Sequence, residues 1–210
     1  MQYTLEIFKK DNPHLKQFAP VIETAALKIK EIYKNKGKIL LCGNGGSASD
    51  CEHIAGEFMK SFIIPRPISD SLKAKLNKAG FGFISERLQD GICCIVLSSM
   101  TSLFTAVGND IGYDVCFAQQ VMACGEKGDV LFAISTSGNS QAVCNAAAVA
   151  RAKGMYIIGL TGESGGKLKP VCDICFNVPA VETYKIQEMH LPIYHSICAL
   201  AEEIIFGGNK

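Results

Sequence analysis

Short apolar runs alternate along the chain with longer segments in which apolar residues recur every three to four positions. The continuous apolar runs cover residues 38–42, 92–97, 129–134, 155–160 and 173–178. Runs of this length without polar alternation are typical of strands buried on both faces of a parallel sheet. The segments between them have the spacing of amphipathic helices. This order predicts an α/β fold with three αβα layers, in which helices cover both faces of a parallel sheet.

Helical spacing is clearest near the two ends of the chain. Residues 14–34 predict a long N-terminal helix. Residues 185–206 predict a C-terminal helix that contains Pro192, which removes one backbone donor and is expected to bend it. Serine and threonine at 98–102 can cap a helix, and the glycine, asparagine and aspartate of 107–112 indicate a loop. The other predicted helices cover residues 47–60, 69–78, 113–123 and 141–152.

Length and composition fit one domain spanning residues 1–210. The chain has 48% hydrophobic and 20% charged residues, enough apolar material for a two-sided core. Its 21 basic and 20 acidic residues leave a net charge of +1, which gives no electrostatic footprint for nucleic acid and favours a small partner. The sequence has neither a signal-peptide core nor a membrane-spanning apolar run, so we expect a cytoplasmic protein.

Ten cysteines are scattered along the chain, and several lie inside apolar runs, as Cys93 and Cys94 do. This placement favours buried free thiols over a disulfide framework. Cys172 and Cys175 have the CxxC spacing of zinc and redox sites. However, residues 171–178 alternate like a strand, which would direct side chains three positions apart to opposite faces. We therefore interpret this spacing as a coincidence.

Hydroxyl-bearing residues follow the predicted strand at 129–134. Residues 135–140 read Ser-Thr-Ser-Gly-Asn-Ser and precede a predicted helix, where hydroxyls, backbone N–H groups and the helix dipole together bind a phosphate dianion. The segment lacks the lysine of a nucleoside triphosphate loop and therefore indicates a simple phosphate ester. Taken alone, it is equally well explained as a helix-capping sequence. Ser47, after another predicted strand, can contribute to the same site.

A glycine-rich turn at 43–46 follows the first predicted strand. It lacks the GxGxxG spacing of dinucleotide-binding loops, which argues against such a cofactor. On the helix after it, His53 and Glu57 are four residues apart and leave the same face. By itself this is also the pattern of a surface pair that stabilises a helix.

A second polar pair lies on the last predicted helix. Gln187 and His195 are eight residues apart, about two turns, and therefore project to roughly the same side. Pro192 between them can change their relative direction. His190 lies off that side, and we assign it a structural role.

These motifs together resemble the sugar isomerase (SIS) domain family, and within it the phosphoheptose isomerases. The resemblance is carried by residues 38–47, 53–57, 107–110, 128–140, 160–162 and 186–190 together with His195. It implies an aldose–ketose isomerase that converts sedoheptulose 7-phosphate into D-glycero-D-manno-heptose 7-phosphate. It also implies a flavodoxin-like, five-stranded parallel sheet and a homotetramer with active sites between subunits.

The resemblance implies catalytic and metal-binding roles. Isomerisation through a cis-enediol needs a base and an acid, which by position are Glu57 and His195. The family can hold Zn²⁺, and the nitrogen and oxygen donors at the matching positions suit that ion. Tight zinc binding would compete with the role of Glu57 as a free base. The implied zinc ligands are His53, Glu57, Gln187 and His195.

The implied substrate contacts lie on the two predicted helices and on loops after the predicted strands. Such loops meet at one edge of a parallel sheet, where ligands bind. The implied phosphate ligands are Ser135, Thr136, Ser137 and Ser140, with Ser47 close by. The implied sugar contacts are Asn44, Gly45, Gly46, Asn109, Asp110, Glu57 and Gln187.

Departures from the family pattern bear on the substrate. Ser61 replaces a usual arginine, for which Lys60 substitutes only in part because it lacks the guanidinium fork. Tyr184 stands where aspartate is common. Residues 65–91 form an insertion directly after the Glu57 helix, expected to act as a lid, as an added subunit contact or only as a peripheral addition. The N-terminal residues, 1–36, are expected to form a helical arm.

The alternative function within the family is a non-catalytic scaffold or regulatory protein that binds phosphosugars. Such relatives lose the acid–base residues, so the presence of Glu57 and His195 favours the enzyme. A transcriptional regulator would also need DNA-binding helices and a basic patch, which this sequence lacks.

Overall fold

Five strands pair in parallel to form one sheet: β1 (Ile39–Cys42), β2 (Cys94–Val96), β3 (Val130–Ile134), β4 (Tyr156–Thr161) and β5 (Ile174–Asn177). The structure is a computed structural model that describes residues 5–208. The strand order across the sheet is β2-β1-β3-β4-β5. The chain thus starts in an interior strand, moves to one edge and then crosses back to build the other side. The predicted five-stranded parallel sheet is confirmed.

Helices cover both faces of this sheet. Ile39 and Leu41 of β1 pack in a core with the helices at Ala19–Lys34, Gly46–Met59 and Thr183–Phe206. Leu40 and Cys42 pack in a second core with the helices at Cys116–Cys124 and Gln141–Ala152. All four side chains are fully buried, which is why β1 has no polar position. The helices described within residues 5–208 are α1 (Leu5–Asp11), α2 (Ala19–Lys34), α3 (Gly46–Met59), α4 (Asp70–Lys78), α5 (Gly82–Ser85), α6 (Thr101–Asp110), α7 (Cys116–Cys124), α8 (Gln141–Ala152) and α9 (Thr183–Phe206). None of them is both long and apolar enough to cross a membrane.

The residues predicted as an N-terminal arm form α1, a 3₁₀ turn at Pro13–Phe18 and α2. The first four residues of the predicted arm lie outside the described residues. The helix predicted at 14–34 is divided into this 3₁₀ turn and α2. α2 starts at Ala19, which places Pro20 in the first turn, where an α-helix tolerates proline best. At the other end of the chain, α9 is 24 residues long and contains Pro192 in its interior.

The prediction of a loop at 107–112 is wrong for residues 107–110, which are the last residues of α6. Gly108 lies inside α6, and the ring of Tyr113 occupies the place that a Cβ at this position would need. The glycine that indicated a loop is therefore a packing site. The helix predicted after it begins as a 3₁₀ turn, Tyr113–Val115, and only then continues as α7.

A buried ion pair fixes the segment that follows α3. Glu202 of α9 accepts hydrogen bonds from the backbone N–H groups of residues 62–64 at 2.7 to 3.0 Å and from Nε of Arg66 at 2.7 Å. Nη1 and Nη2 of Arg66 donate to the carbonyls of Phe58 (2.7 Å) and Glu57 (3.0 Å). Both charged side chains are fully buried. Arg66 therefore joins α9 to carbonyl groups that α3 leaves unpaired at its C-terminal end.

Residues 65–91, the predicted insertion, contain α4 and α5. The hydroxyl of Ser69 caps α4 by accepting the N–H of Leu72 at 3.3 Å. At the far end of the segment, Oε1 of Gln89 accepts both the N–H and the hydroxyl of Ser61 at 2.9 Å. Ser61, which replaces the usual arginine of the family, therefore ties the segment back to the end of α3. Several of its large apolar side chains are exposed: Leu72, Phe81, Phe83 and Leu88.

The interpretation of Cys172 and Cys175 as residues on opposite faces is wrong. β5 starts at Ile174, so Cys172 lies before it and does not follow the strand alternation. Both sulfurs lie beside Gly159 of β4, within 3.0 Å of the point that a Cβ there would occupy. All ten cysteines are free thiols, as predicted, but only five of them are buried.

We expect Arg66→Met to lower the free energy of unfolding by about 3 to 5 kcal/mol, because it leaves the Glu202 carboxylate buried without its cation. Urea titration followed by circular dichroism measures this loss as a lower midpoint at similar slope. Lys73→Met is the matched control. It removes the partner of Glu86 in a surface pair of the same segment, 3.0 Å apart, and should cost less than about 1 kcal/mol. Equal losses in the two variants would contradict the role of the buried pair.

Candidate active site

The loops after β1 and β3 meet at the carboxyl edge of the sheet. From β1 the chain turns toward β2, and from β3 it turns toward β4, so a crevice opens between the two loops. The amide of Asn44 donates a hydrogen bond across this crevice to Oγ of Ser140 at 3.0 Å. One contact thereby joins the predicted sugar-binding turn to the predicted phosphate-binding segment.

The segment predicted to bind phosphate, residues 135–140, is called the phosphate loop below and is held partly by its own hydroxyls. Oγ of Ser135 accepts the N–H of Ser140 at 3.3 Å, and Oγ of Ser137 accepts the N–H of Asn139 at 3.1 Å. These bonds fold the loop at the N-terminus of α8. The helix dipole and the remaining N–H groups there favour an anion.

A cavity of about 260 Å³ opens beside this loop. Thr136 and Ser137 line it together with Gly162, which follows β4. The N–H of Gly162 donates to the carbonyl of Thr136 at 2.8 Å, which holds the two loops together. Two of the predicted phosphate ligands therefore face open space large enough for a small ligand group.

Two glycines make the turn between β1 and α3. Gly45 has a φ of +57°, and α3 starts at Gly46, so Ser47 is buried in the first turn of the helix. The amide of Gln187 occupies the place that a Cβ on Gly46 would need. The absence of a side chain at Gly46 therefore lets the start of α9 approach the start of α3.

His53, Glu57 and His195 form a cluster within one chain. Nε2 of His53 lies 3.3 Å from Nε2 of His195 and 3.4 Å from Oε1 of Glu57. His53 and Glu57 are one turn apart on α3, and α9 packs against this face of α3. The structure thus brings together three of the four residues predicted for chemistry, whereas Gln187 contacts Gly46, two turns earlier on α9.

A second set of hydrogen bonds orients His53. The hydroxyl of Tyr194 donates to Asp50 at 3.2 Å and lies 3.1 Å from Nδ1 of His53. Because its one proton goes to the carboxylate, Nδ1 of His53 is the donor in the second contact. In this orientation, Nε2 of His53 faces the cluster. Sequence reasoning missed Asp50 and Tyr194, although Asp50 is three residues before His53 on the same helix.

Burial dominates the electrostatics of the cluster. It lowers the pKa of His195, and positive charge on His53 acts in the same direction while Glu57 opposes it. Burial also raises the pKa of the Asp50 carboxyl, against the hydrogen bond from Tyr194. A histidine with a lowered pKa is neutral near pH 7, and its two nitrogens can then donate and accept protons.

Glu57 has a cationic partner besides the histidines. Its Oε2 accepts a hydrogen bond from Nζ of Lys60 at 2.8 Å, and its side chain is only 12% exposed. Lys60 therefore partly neutralises the carboxylate predicted to act as a base. Tyr184, the other departure from the family pattern, is exposed at the start of α9.

Asn109 and Asp110 form the exposed end of α6. The amide of Asn109 donates to the carboxylate of Asp110 at 2.8 Å. Among the described residues, no hydrogen bond or ion pair connects either one to the phosphate loop or to the cluster around His53. Their predicted contacts with the sugar stay predictions.

The predicted zinc ligands fit that metal in donor type. The separations of 3.3 and 3.4 Å from Nε2 of His53 to His195 and Glu57 match the donor spacing of about 3.4 Å around a tetrahedral zinc ion. Among residues 5–208, however, no three histidine, cysteine, aspartate or glutamate side chains meet the full geometry of a metal site. The set therefore has suitable donors and two suitable distances but is not assembled as a complete site.

His190 is buried on α9 outside the cluster. Its Nε2 donates to the carbonyl of Thr161 at 3.2 Å, and its Nδ1 is buried without a partner. Burial lowers its pKa from 6.5 to about 4. His190 is thus a neutral link between α9 and the end of β4, in agreement with its predicted structural role.

Comparison with known proteins identifies the family. The model of the SIS domain family matches residues 6–89 and 91–162. The chain belongs to the SIS domain family. It is 44% identical over 186 residues to a phosphoheptose isomerase of Aneurinibacillus thermoaerophilus, covering 89% of this chain and 82% of that protein. The resemblance predicted from the motifs is confirmed, and with it the prediction that the chain is an isomerase.

Solved structures of SIS domain proteins support the same assignment. The phosphoheptose isomerase of Neisseria gonorrhoeae superimposes with a TM-score of 0.69 at 32% identity, covering 94% of this chain and 96% of that chain. One from Francisella tularensis gives a TM-score of 0.73, also at 32% identity, covering 88% and 86%. The SIS fold therefore extends over nearly all of both molecules.

Tyr194→Phe should reduce turnover of a ketose phosphate about 10- to 100-fold, because Nδ1 of His53 loses the acceptor that orients the ring. Steady-state kinetics measure the loss in kcat, and circular dichroism checks that the fold is retained. The matched control is Tyr184→Phe, which removes an exposed hydroxyl from the same helix and should leave kcat unchanged. A Tyr194→Phe enzyme as active as this control would exclude the orienting role.

Stability should depend on pH through His190. The unfolded chain binds a proton below about pH 6.5 and the folded protein only below about pH 4, so stability is lost as the pH falls between these values, by about 3 kcal/mol. His190→Gln keeps a donor for Thr161 but cannot titrate. Urea titrations of both proteins should therefore show that the free energy of unfolding falls more steeply for the wild type from pH 7 to pH 4. Parallel curves would exclude a neutral, buried His190.

Proposed function

We propose that this chain interconverts sedoheptulose 7-phosphate and D-glycero-D-manno-heptose 7-phosphate. The observation that carries the proposal is the cluster of His53 and Glu57 on α3 with His195 on α9. The turn that leads into α3 contacts the phosphate loop through Asn44 and Ser140. A carboxylate and imidazoles in contact are the groups that proton transfer between adjacent carbons needs. Proteins that are similar to this chain over most of their length are named phosphoheptose isomerases, and this name supports the choice of substrate.

The spacing along α3 supports a long substrate. At a rise of 1.5 Å per residue, His53 lies about 10 Å and Glu57 about 16 Å along the helix axis from Gly46. In a ketose 7-phosphate, the reacting carbons C1 and C2 lie at the opposite end of the molecule from the phosphate. A phosphate held by the phosphate loop would therefore place C1 and C2 toward the cluster.

In the proposed mechanism, Glu57 removes a proton from C1 of the ketose while His195 donates a proton to O2, which gives the cis-enediol. Glu57 then returns its proton to C2, and O1 gives its proton to His195. Both side chains regain their starting protonation states, and the aldose is formed. When bound by His53, Glu57, Gln187 and His195, zinc would polarise the carbonyl oxygen as a Lewis acid.

The proposal includes a homotetramer with active sites between subunits. The exposed apolar side chains of residues 65–91 are suited to a subunit contact. Arg66 holds the start of this segment to the carbonyl of Glu57, so a neighbouring subunit bound there would adjoin the cluster. We propose that the segment contributes to this contact, and that residues 1–210 form one SIS domain with an N-terminal helical arm.

Pure protein incubated with sedoheptulose 7-phosphate, with and without added zinc, should form the aldose phosphate, which NMR detects. Glu57→Gln should lower turnover by about 10²- to 10⁴-fold, because the amide cannot accept the C1 proton. Binding of the sugar phosphate, measured by calorimetry, should be largely retained, since the phosphate loop is unchanged.

Glu52→Gln provides the control, because Glu52 is an exposed carboxylate one residue from His53 on the same helix. It should retain wild-type turnover. A fully active Glu57→Gln enzyme would remove Glu57 from the mechanism. Absence of conversion of this and other ketose phosphates by the wild type would sink the isomerase proposal.

A further inference from the structure

A notch in β4 brings the thiols of Cys172 and Cys175 together. Gly159 has no side chain, and the sulfurs of the two cysteines lie 2.5 and 3.0 Å from the point that its Cβ would occupy. Because both sulfurs lie beside the same point, they are no more than about 5.5 Å apart. Any larger residue at position 159 would push them apart. The glycine therefore makes room for a pair of sulfurs.

Each thiol also has a different second partner. Sγ of Cys172 lies 3.3 Å from the carbonyl oxygen of Leu168, an acceptor that favours the protonated thiol. Sγ of Cys175 lies 3.7 Å from the hydroxyl of Thr161, which can rotate to donate to a thiolate. Both cysteines are partly buried: Cys175 is in the edge strand β5, and Cys172 lies just before it.

These partners separate the acidities of the two thiols. The hydrogen bond from Cys172 is the main cause that lowers the pKa of Cys175 from 9.0 to about 7, and Thr161 and the charge of Lys169 act in the same direction against burial. The same hydrogen bond is the main cause that raises the pKa of Cys172. In contrast, burial raises the pKa of Cys42, a thiol of the core. Cys175 is thus the more acidic thiol of the pair, and Cys172 is the one that keeps its proton.

We propose that Cys172 and Cys175 form a redox site that reduces hydroperoxides, with hydrogen peroxide as the simplest substrate, and closes to a disulfide. The Cys175 thiolate attacks one peroxide oxygen, the O–O bond breaks, and the leaving hydroxide takes a proton to become water. Cys175 is then a sulfenic acid. The sulfur of Cys172 attacks it, and the S–S bond forms as the S–O bond breaks.

The second hydroxide leaves with the proton of Cys172 as another water molecule. The two electrons that reduce the peroxide therefore come from the two thiols, and an external dithiol such as dithiothreitol restores them. No residue of the isomerase cluster takes part. The redox site is independent of the proposed isomerase activity.

The gain in rate over an ordinary thiol is modest in the first step. At pH 7, a thiol of pKa about 7 is ionised roughly fifty times more than one of pKa about 9, but its lower basicity reduces its nucleophilicity about eightfold. The net advantage is about sixfold. Selectivity should come mainly from the second step, because the sulfur of Cys172 lies next to that of Cys175 beside Gly159.

The test is to treat the wild-type protein with a small excess of hydrogen peroxide, block free thiols with N-ethylmaleimide and analyse tryptic peptides by mass spectrometry. Residues 168–185 form one peptide with only these two cysteines, because trypsin does not cut between Lys169 and Pro170. At least half of this peptide should carry no maleimide and be lighter by two hydrogens than the peptide with two free thiols. Dithiothreitol, added before the maleimide, should restore both free thiols. A peptide alkylated at both cysteines to the same extent as exposed Cys93 would overturn the proposal.

Single variants assign the two roles. Cys172→Ser should accumulate a sulfenic acid on Cys175 that dimedone traps, whereas Cys175→Ser should give no adduct on Cys172. Cys93→Ser is the matched control, and it should leave the disulfide in peptide 168–185 unchanged. An adduct on Cys172, or loss of the disulfide in Cys93→Ser, would overturn the assignment. The wild-type measurement decides the proposal even if a variant fails to fold.

Discussion

The carboxylate of Glu202 accepts four hydrogen bonds from a segment that lies 136 to 140 residues earlier in the chain. Moving two charges out of water costs several kcal/mol per ion, and their attraction offsets this only where other hydrogen bonds also satisfy the polar atoms. Here Arg66 meets that condition, since its three nitrogens bind Glu202 and the carbonyls of Glu57 and Phe58. The pair thereby fixes the end of α3, which carries Glu57, relative to α9, which carries His195.

Three contacts with the region of α3 line one side of α9. Gln187 lies against Gly46, Tyr194 binds Asp50 and His53, and Glu202 binds Arg66. The three α9 residues are seven and eight positions apart, about two turns each, so they follow one another along the helix. This polar stripe on a largely buried helix determines which residue of α3 each residue of α9 meets. The position of His195 beside His53 follows from it.

The parts of the molecule that depend on local patterns were predictable. The strands appear as apolar runs because helices cover both faces, and His53 and Glu57 could be paired because helical periodicity is a local property. Local composition failed at Gly108, a glycine inside α6 whose missing side chain makes room for the ring of Tyr113, and at Cys172, which lies before the start of β5. Within the candidate site, sequence motifs were sufficient to predict the loops and the four residues expected to carry the chemistry, His53, Glu57, Gln187 and His195.

The remaining contacts had no local signal. Tyr194 and Asp50 are 144 residues apart, and their hydrogen bond depends on how two helices cross. The same is true of Arg66 and Glu202, because either residue alone resembles an ordinary surface charge. The hydrogen bond between Asn44 and Ser140 arises only from the strand order, which places β1 beside β3.

The separation between Arg66 and Glu202 has a consequence for synthesis of the protein. At about 5 to 20 residues per second, the ribosome makes Glu202 about 7 to 27 seconds after Arg66. During that interval, the guanidinium and the N–H groups of residues 62–64 have no carboxylate to bind. Until then, the segment after α3 stays in contact with water or a chaperone. Glu57 cannot reach its final position beside His195 until α9 has been made.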